Sequence, residues 1–278
     1  MNEFPRTTVG GVSVPRMIVG TNWFLGATHR SKAKDNFVRS YQTSKNIADI
    51  LTVCGEYGVN AIYGWPTPTV AEGVKEAEQR TGREIIWFML PGFNIVPGGD
   101  EQAEPERVLD RVKELGGTFC LPHQYVIDAL MDRMYKEIRD LDKYTKMIRD
   151  RGMIPGLSTH MPETITYADK GGYDIETYIQ IYNSDGFMMQ MEIDWVMRII
   201  QKAEKPVIVI KPLAAGQLLA PVGLSFVWNT IRDQDMVCIG LTTPDEAKED
   251  IELSLDILAK RIPDHELQAT RSKASLLE

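Results

Sequence analysis

Two side chains stand where a buried apolar run stops. His123 closes the run at residues 118–121 through Leu121-Pro122, and Lys211 follows Val207-Ile208-Val209-Ile210 without a break. A histidine at a strand end can act as general acid or base, or as an electrophile toward a carbonyl. A lysine at the rim of a buried strand loses hydration, which lowers its pKa and suits it to proton transfer or to Schiff-base chemistry. The bland alternatives are a hydrogen-bonded core histidine and a lysine reaching out to solvent. Tyr63 ends another short apolar run and offers a second hydroxyl donor, or a pocket wall. His160 lies just past the run at 154–157, and with His123 and Asp185 it suggests a two-histidine, one-carboxylate site for a divalent metal. No local metal-ligand spacing supports that triad, and His160 would equally serve as a cap for the helix marked by Pro162 and Glu163. Asn22, Gln124, Tyr182 and Asn183 are the positioning groups expected around these residues, with Trp23 and Trp65 as an aromatic wall for a planar or sugar-like ligand.

These residues need elements to carry them. Eight short runs rich in β-branched and aromatic residues fall at 17–19, 61–63, 85–89, 118–121, 154–157, 178–181, 207–210 and 236–239. They lack apolar/polar alternation, so they read as parallel strands buried on both faces. Between them lie helical stripes: Ile47, Ile50, Leu51, Cys54; Val108, Val112, Leu115; Ile193, Val196, Met197, Ile200; and Leu224, Val227, Trp228, Ile231. Thr69-x-x-Glu72 and Thr243-Pro244-x-Glu246 read as capping boxes, Pro105 and Pro221 as first-turn prolines, and Gly116-Gly117 as a helix stop. The alternation predicts an α/β protein, a closed (β/α)8 TIM barrel, with an open doubly wound sheet as the alternative. Neither G-x-G-x-x-G after the first strand nor G-x-x-x-x-G-K-[ST] occurs, which weakens the open-sheet reading.

With no linker or repeat to divide it, the chain is expected to form one domain over 1–278. Residues 25–43 would be a long lid-like loop after the first strand, and 262–278 a loose or docking tail. That loop carries Arg30, Lys32, Lys34 and Arg39 against the single acid Asp35, so Arg30 and Lys32 are candidates to clamp an anionic small-molecule substrate. The net charge of −8 argues against nucleic acid or an anionic membrane as partner. Cys54, Cys120 and Cys238 form no C-x-x-C pattern, and Met1 to Arg6 lacks a signal-peptide layout, so a reducing cytoplasm is the expected setting. The oligomeric state is left open.

An ordered series of short segments resembles the aldo-keto reductase family across residues 7 to 260. It runs through Val9-Gly10-Gly11-Val12, Val19-Gly20-Thr21, Gly58-Val59-Asn60, Leu121-Pro122-His123, Gly156-Leu157-Ser158-Thr159, Tyr182-Asn183, Lys211-Pro212-Leu213-Ala214-Ala215-Gly216 and Ile239-Gly240. The resemblance implies a TIM barrel whose bottom is plugged by a hairpin at 7–15. It also implies an NADPH-dependent reductase with an Asp-Tyr-Lys-His tetrad, yet Tyr63 stands at the aspartate position and Trp65-Pro66-Thr67-Pro68 replaces the tyrosine segment. The third strand leads into Leu90-Pro91-Gly92 with no lysine, leaving His123 alone. Ser158 and Thr159 match the nicotinamide-binding pair in part. Gly240 and Thr242 mark the phosphate end, where Leu241-Thr242-Thr243 offers no cation for a 2′-phosphate. The expectation is therefore acid/base chemistry on a polar carbonyl- or hydroxyl-bearing substrate, of lyase, isomerase or hydrolase type, with His123, Lys211 and Tyr63 in the active roles. The alternatives are an NAD(P)H-dependent oxidoreductase with a relocated acid and a non-catalytic binding or regulatory barrel.

Overall fold

Each of the eight apolar runs becomes a stave of one parallel ring. The computed structural model describes residues 3–96 and 98–261. In one direction Met17–Gly20 pairs with Ala61–Tyr63, then Ile86–Met89, Phe119–Cys120 and Ile154–Pro155 follow in hydrogen-bonded order. In the other it pairs with Met236–Gly240, then Val207–Ile210, Tyr178–Ile181 and Leu157–Ser158. The two ends of this order are halves of a single stave interrupted at Gly156, so the ring closes through the fifth strand. A Cβ at Gly156 would lie 2.8 Å from Thr177 Cγ2 and 2.9 Å from Leu121 Cδ2, and only glycine fits there.

Period-two alternation sorts the strand residues into two cores. Ile18, Phe88, Phe119, Leu121, Ile179, Ile181, Ile208, Ile210, Met236 and Cys238 fill the barrel interior, where Phe88 and Phe119 stack with centroids 4.2 Å apart. The hairpin of Arg6–Val9 and Val12–Pro15 adds Val9 and Val14 to this inner cluster, and so plugs one end of the ring. The residues between, such as Met17, Val19, Ile62, Trp87, Val207 and Val209, face outward to the helical stripes. Below, Arg16 donates to the Asp235 and Arg232 carbonyls at 2.9 and 2.8 Å and lies over the Trp228 ring, tying the strand entrances together. The architecture is an α/β, (β/α)8 TIM barrel with an N-terminal hairpin at its base.

Three local expectations change. Residues 25–43 are mostly helical: after Asn22–Leu25 comes Lys32–Tyr41, capped by Ser31 Oγ, which accepts from the Lys34 N–H at 3.2 Å. This helix buries only Val38, so it shows no apolar stripe from which to recognise it. Thr67, not Thr69, caps Pro68–Thr81, because Pro68 occupies the first helical position and sets the cap one residue before it. A small hairpin, Met131–Asp132 with Glu137–Ile138, follows the fourth strand and its helix where the sequence carries no apolar run to mark it. The tail 262–278 lies outside the described residues. No described helix is long and apolar enough to cross a membrane.

Candidate active site

At the open end of the barrel the inward alternation decides which side chains meet. Residues 119 and 121 point inward, and two further along is His123. It caps the short helix Gln124–Leu130, its Nδ1 accepting from the Tyr125 N–H at 3.5 Å, so the ring proton belongs on Nε2. Tyr63 continues the inward row of Ala61, with Ser158 of the fifth strand and Cys238 among its neighbours. Burial pushes the Tyr63 phenol far above its usual range, and pushes the neighbouring Cys238 thiol up to about 12. Both groups keep their protons at neutral pH, so Tyr63 can donate but not abstract.

Lys211 departs from the alternation. With Ile208 and Ile210 inward, residue 211 belongs on the outer face, but its φ of 59° lies in the left-handed region, which is costly for a lysine. That turn brings its ammonium into the mouth, where Nζ donates to His29 Nε2 at 3.3 Å. Burial lowers the Lys211 pKa. The surrounding imidazoles shift in the same direction. His29 and His123 are lowered by burial and then by the Lys211 charge, while His160 is driven down to about 4 by burial, Lys211, His123 and His29 in that order. One cation and three neutral imidazoles therefore share the mouth. Two acids border the cluster: Asp35 accepts from the Thr28 N–H at 2.9 Å and its hydroxyl at 2.6 Å, and Asp128 accepts from the His160 N–H at 3.5 Å.

His29 was invisible to the spacing argument because it comes from the segment 25–43, not from a strand end. Its approach depends on a left-handed turn at φ 58° and on the helix beyond it, although the basic character of that segment was the available signal. Asn22 joins this cluster, its Nδ2 lying 3.5 Å from His29 Nε2. The other expected positioning groups separate. Tyr182 is fully buried in the outer core, donates to Thr230 Oγ1 at 3.1 Å and packs on Phe226. Asn183 spends its amide on its own turn, accepting from the Phe187 N–H at 2.8 Å and donating to the Phe187 carbonyl at 3.1 Å. Gln124 is half-buried at the start of its helix, and Arg30 and Lys32 are exposed. Among the described residues no three His, Cys, Asp or Glu side chains are placed to share a metal ion, so His123, His160 and exposed Asp185 do not form the expected triad.

The groups matched to a nicotinamide cofactor are engaged by the protein itself. Ser158 is buried in the barrel wall, and Thr159 Oγ1 donates to Asp128 Oδ1 at 2.6 Å. Trp23 covers Gly240 so closely that a Cβ there would overlap the indole. The Thr242 N–H donates to Glu246 Oε2 at 2.6 Å, and the Thr242 carbonyl accepts from Gln42 Nε2 at 2.9 Å. Trp65 takes another place: with His123 it lines a cleft of about 770 Å³ that runs from the mouth toward the helix Pro105–Glu114.

No family model matches the chain, and no curated protein matches it. Solved structures do. One from Pseudomonas aeruginosa described as an aldo-keto reductase aligns over 92% of this chain and 97% of its own at 16% identity, with a TM-score of 0.67. An aldo/keto reductase from Brucella melitensis aligns over 95% of each chain at 15% identity and a TM-score of 0.59. Orotidine 5′-monophosphate decarboxylase from Methanocaldococcus jannaschii aligns over 86% of this chain and 98% of its own at 16% identity and a TM-score of 0.51. At these identities the likeness is one of fold, and the fold is an aldo-keto-reductase-like TIM barrel.

Proposed function

We propose that this barrel is a small-molecule enzyme working by acid/base chemistry, without hydride transfer, on a polar substrate that carries a carbonyl or hydroxyl group. The observation that carries the reading is the convergence of His29, His123 and His160 on Lys211, a lysine held in left-handed backbone at the C-terminal end of a barrel strand. Lys211 supplies positive charge where an oxyanion develops. His123, with its proton on Nε2, donates to the same oxygen. His160 stays neutral to about pH 4 and accepts a proton from substrate. Tyr63 is a second donor. The balance of steps fits a lyase, isomerase or hydrolase.

NADPH does not fit these residues. Its 2′-phosphate would meet Leu241-Thr242-Thr243 without a cation, beside Glu246, Glu249 and Asp250, and the Thr242 N–H already serves Glu246. Trp23 occupies the approach to Gly240. A titration followed by NADPH fluorescence tests this directly, with no saturable change expected up to millimolar cofactor; saturable binding there would return the chain to the reductases. Turnover is tested with a panel of small carbonyl and hydroxy compounds followed by proton NMR without nicotinamide. Conversion by the wild type and at least a hundredfold loss in the His123→Ala, Lys211→Ala double variant are expected. Undiminished conversion in that variant would sink the assignment.

A further inference from the structure

We infer that the cleft beside His123 is a tail-binding subsite for a substrate carrying an aromatic or other flat apolar body and a terminal phosphate or carboxylate. The inference rests on the acid/base reading for what happens at the inner end, since His123 is the residue that the cleft and the mouth share. Trp65, Leu90, Tyr125 and Val108 form its apolar walls. Tyr125 is not a loose surface aromatic: although 54% exposed, its ring lies 4.8 Å from the His123 ring, and its phenol sits so close to Gly92 that a Cβ there would overlap it. The absence of a side chain at Gly92 leaves room for the Tyr125 phenol, and the half-buried Trp65 lines the same cleft. A planar apolar group is chemically matched to a lining of Trp65, Tyr125, Leu90 and Val108.

The outer end is charged. Helix Pro105–Glu114 turns Arg107, Val108, Asp110, Arg111 and Glu114 to the cleft. Arg107 and Arg111, four apart, are like charges on one helix face, a mildly destabilising arrangement. Their acidic partners are exposed surface groups: Arg107 lies 3.6 Å from Glu101 without a hydrogen bond, and Arg111 donates to Glu114 at 3.2 Å. The third acid of this rim, Asp110, is committed to Arg151 at 2.7 Å. Two guanidinium groups with exchangeable surface partners, at the end of an aromatic slot, suit bidentate capture of a phosphate or carboxylate. Arg30 and Lys32, the cations that stood out in the sequence, do not line this cleft.

Phenyl phosphate is the probe, with phenol and inorganic phosphate as its separated halves, and calorimetric titration of the full chain is the measurement. Saturable binding of phenyl phosphate is expected, at least tenfold tighter than either half. The double variant Arg107→Gln, Arg111→Gln should weaken it tenfold or more, and Trp65→Leu should weaken it severalfold; all three positions are on the surface or its edge, and unchanged circular dichroism confirms folding. Lys211→Met should leave binding within twofold of wild type. No binding to wild type, or binding insensitive to the two arginines, overturns the subsite. Binding lost in Lys211→Met and kept in the arginine variant places the anion in the mouth, which ends the cleft assignment and leaves the acid/base reading intact. The pattern expected here, together with no turnover of any carbonyl or hydroxy compound, keeps the subsite and removes the chemistry.

Discussion

At the scale of single residues, the charge on Lys211 governs its neighbours. It is a named cause of the lowered pKa in His29, His123 and His160, second only to burial in each. A positive charge nearby disfavours the imidazolium, so removing it lets protons bind more readily. In Lys211→Met all three histidines should titrate at higher pH than in wild type, measured by the imidazole carbon-bound proton shifts. His160 should move up from about 4 yet stay below an ordinary histidine, because its burial remains. Unmoved titrations would mean that the ammonium does not share the mouth with them. The same signs predict the acid limb of activity: a base that stays neutral toward pH 4 keeps working at pH 5, where an unperturbed histidine at about 6.5 is mostly protonated. His123 and Lys211 were legible in the sequence because each closes an apolar run. Tyr182 follows the run at 178–181 just as directly and faces the helices instead, since adjacent strand positions point to opposite sides.

At the scale of elements, the continuous apolar runs were readable because strands buried on both faces must be apolar at every position, and all eight appear within a residue or two of their expected bounds. What the runs do not encode is the conformation of the residues after them. The helix Lys32–Tyr41 escaped because its buried contribution is Val38 alone and its order comes from side-chain bonds, Thr28 to Asp35 and Ser31 to the Lys34 N–H. The seventh strand likewise ends in a turn whose geometry is set by tertiary contacts, with Lys211, Ala214 and Ala215 all at positive φ. For a residue with a Cβ the left-handed region costs about 1 kcal/mol, and glycine escapes it. Lys211→Gly should therefore be more stable than Lys211→Ala by about 1 kcal/mol, roughly 2 °C in melting temperature for a domain of this size. Equal melting temperatures would argue against the left-handed turn that swings the ammonium inward.

Across the whole molecule, an acidic chain of net charge −8 also buries a carboxyl group away from the mouth, at the junction where the last helix meets the eighth strand. Gln42 Nε2 donates to the Thr242 carbonyl, the Thr242 N–H donates to Glu246, and Thr243 Oγ1 accepts from the Glu246 N–H at 3.1 Å, tying the segment at Gln42 to the start of the last helix. One turn along the helix, Asp250 is 3% exposed and its Oδ2 has no hydrogen-bond partner, as is true of Gln42 Oε1. Burial, with Glu246 and Glu249 adding repulsion, raises the Asp250 carboxyl to about 7 from an ordinary value near 3.8. Between those values the folded chain holds a proton that the unfolded chain has released, so folding stability falls as pH rises through this window and levels off above about 7. At about 1.4 kcal/mol per pKa unit, the full cost reaches a few kcal/mol, which is large beside a typical net stability of about 5–15 kcal/mol. Asp250→Asn removes the ionisation while keeping the shape. Its denaturation midpoint should gain on wild type progressively from pH 4 to pH 7, then hold a constant lead to pH 9. An offset independent of pH would show that Asp250 ionises in the fold as it does in water, and that solvent reaches the junction between the barrel and its last helix.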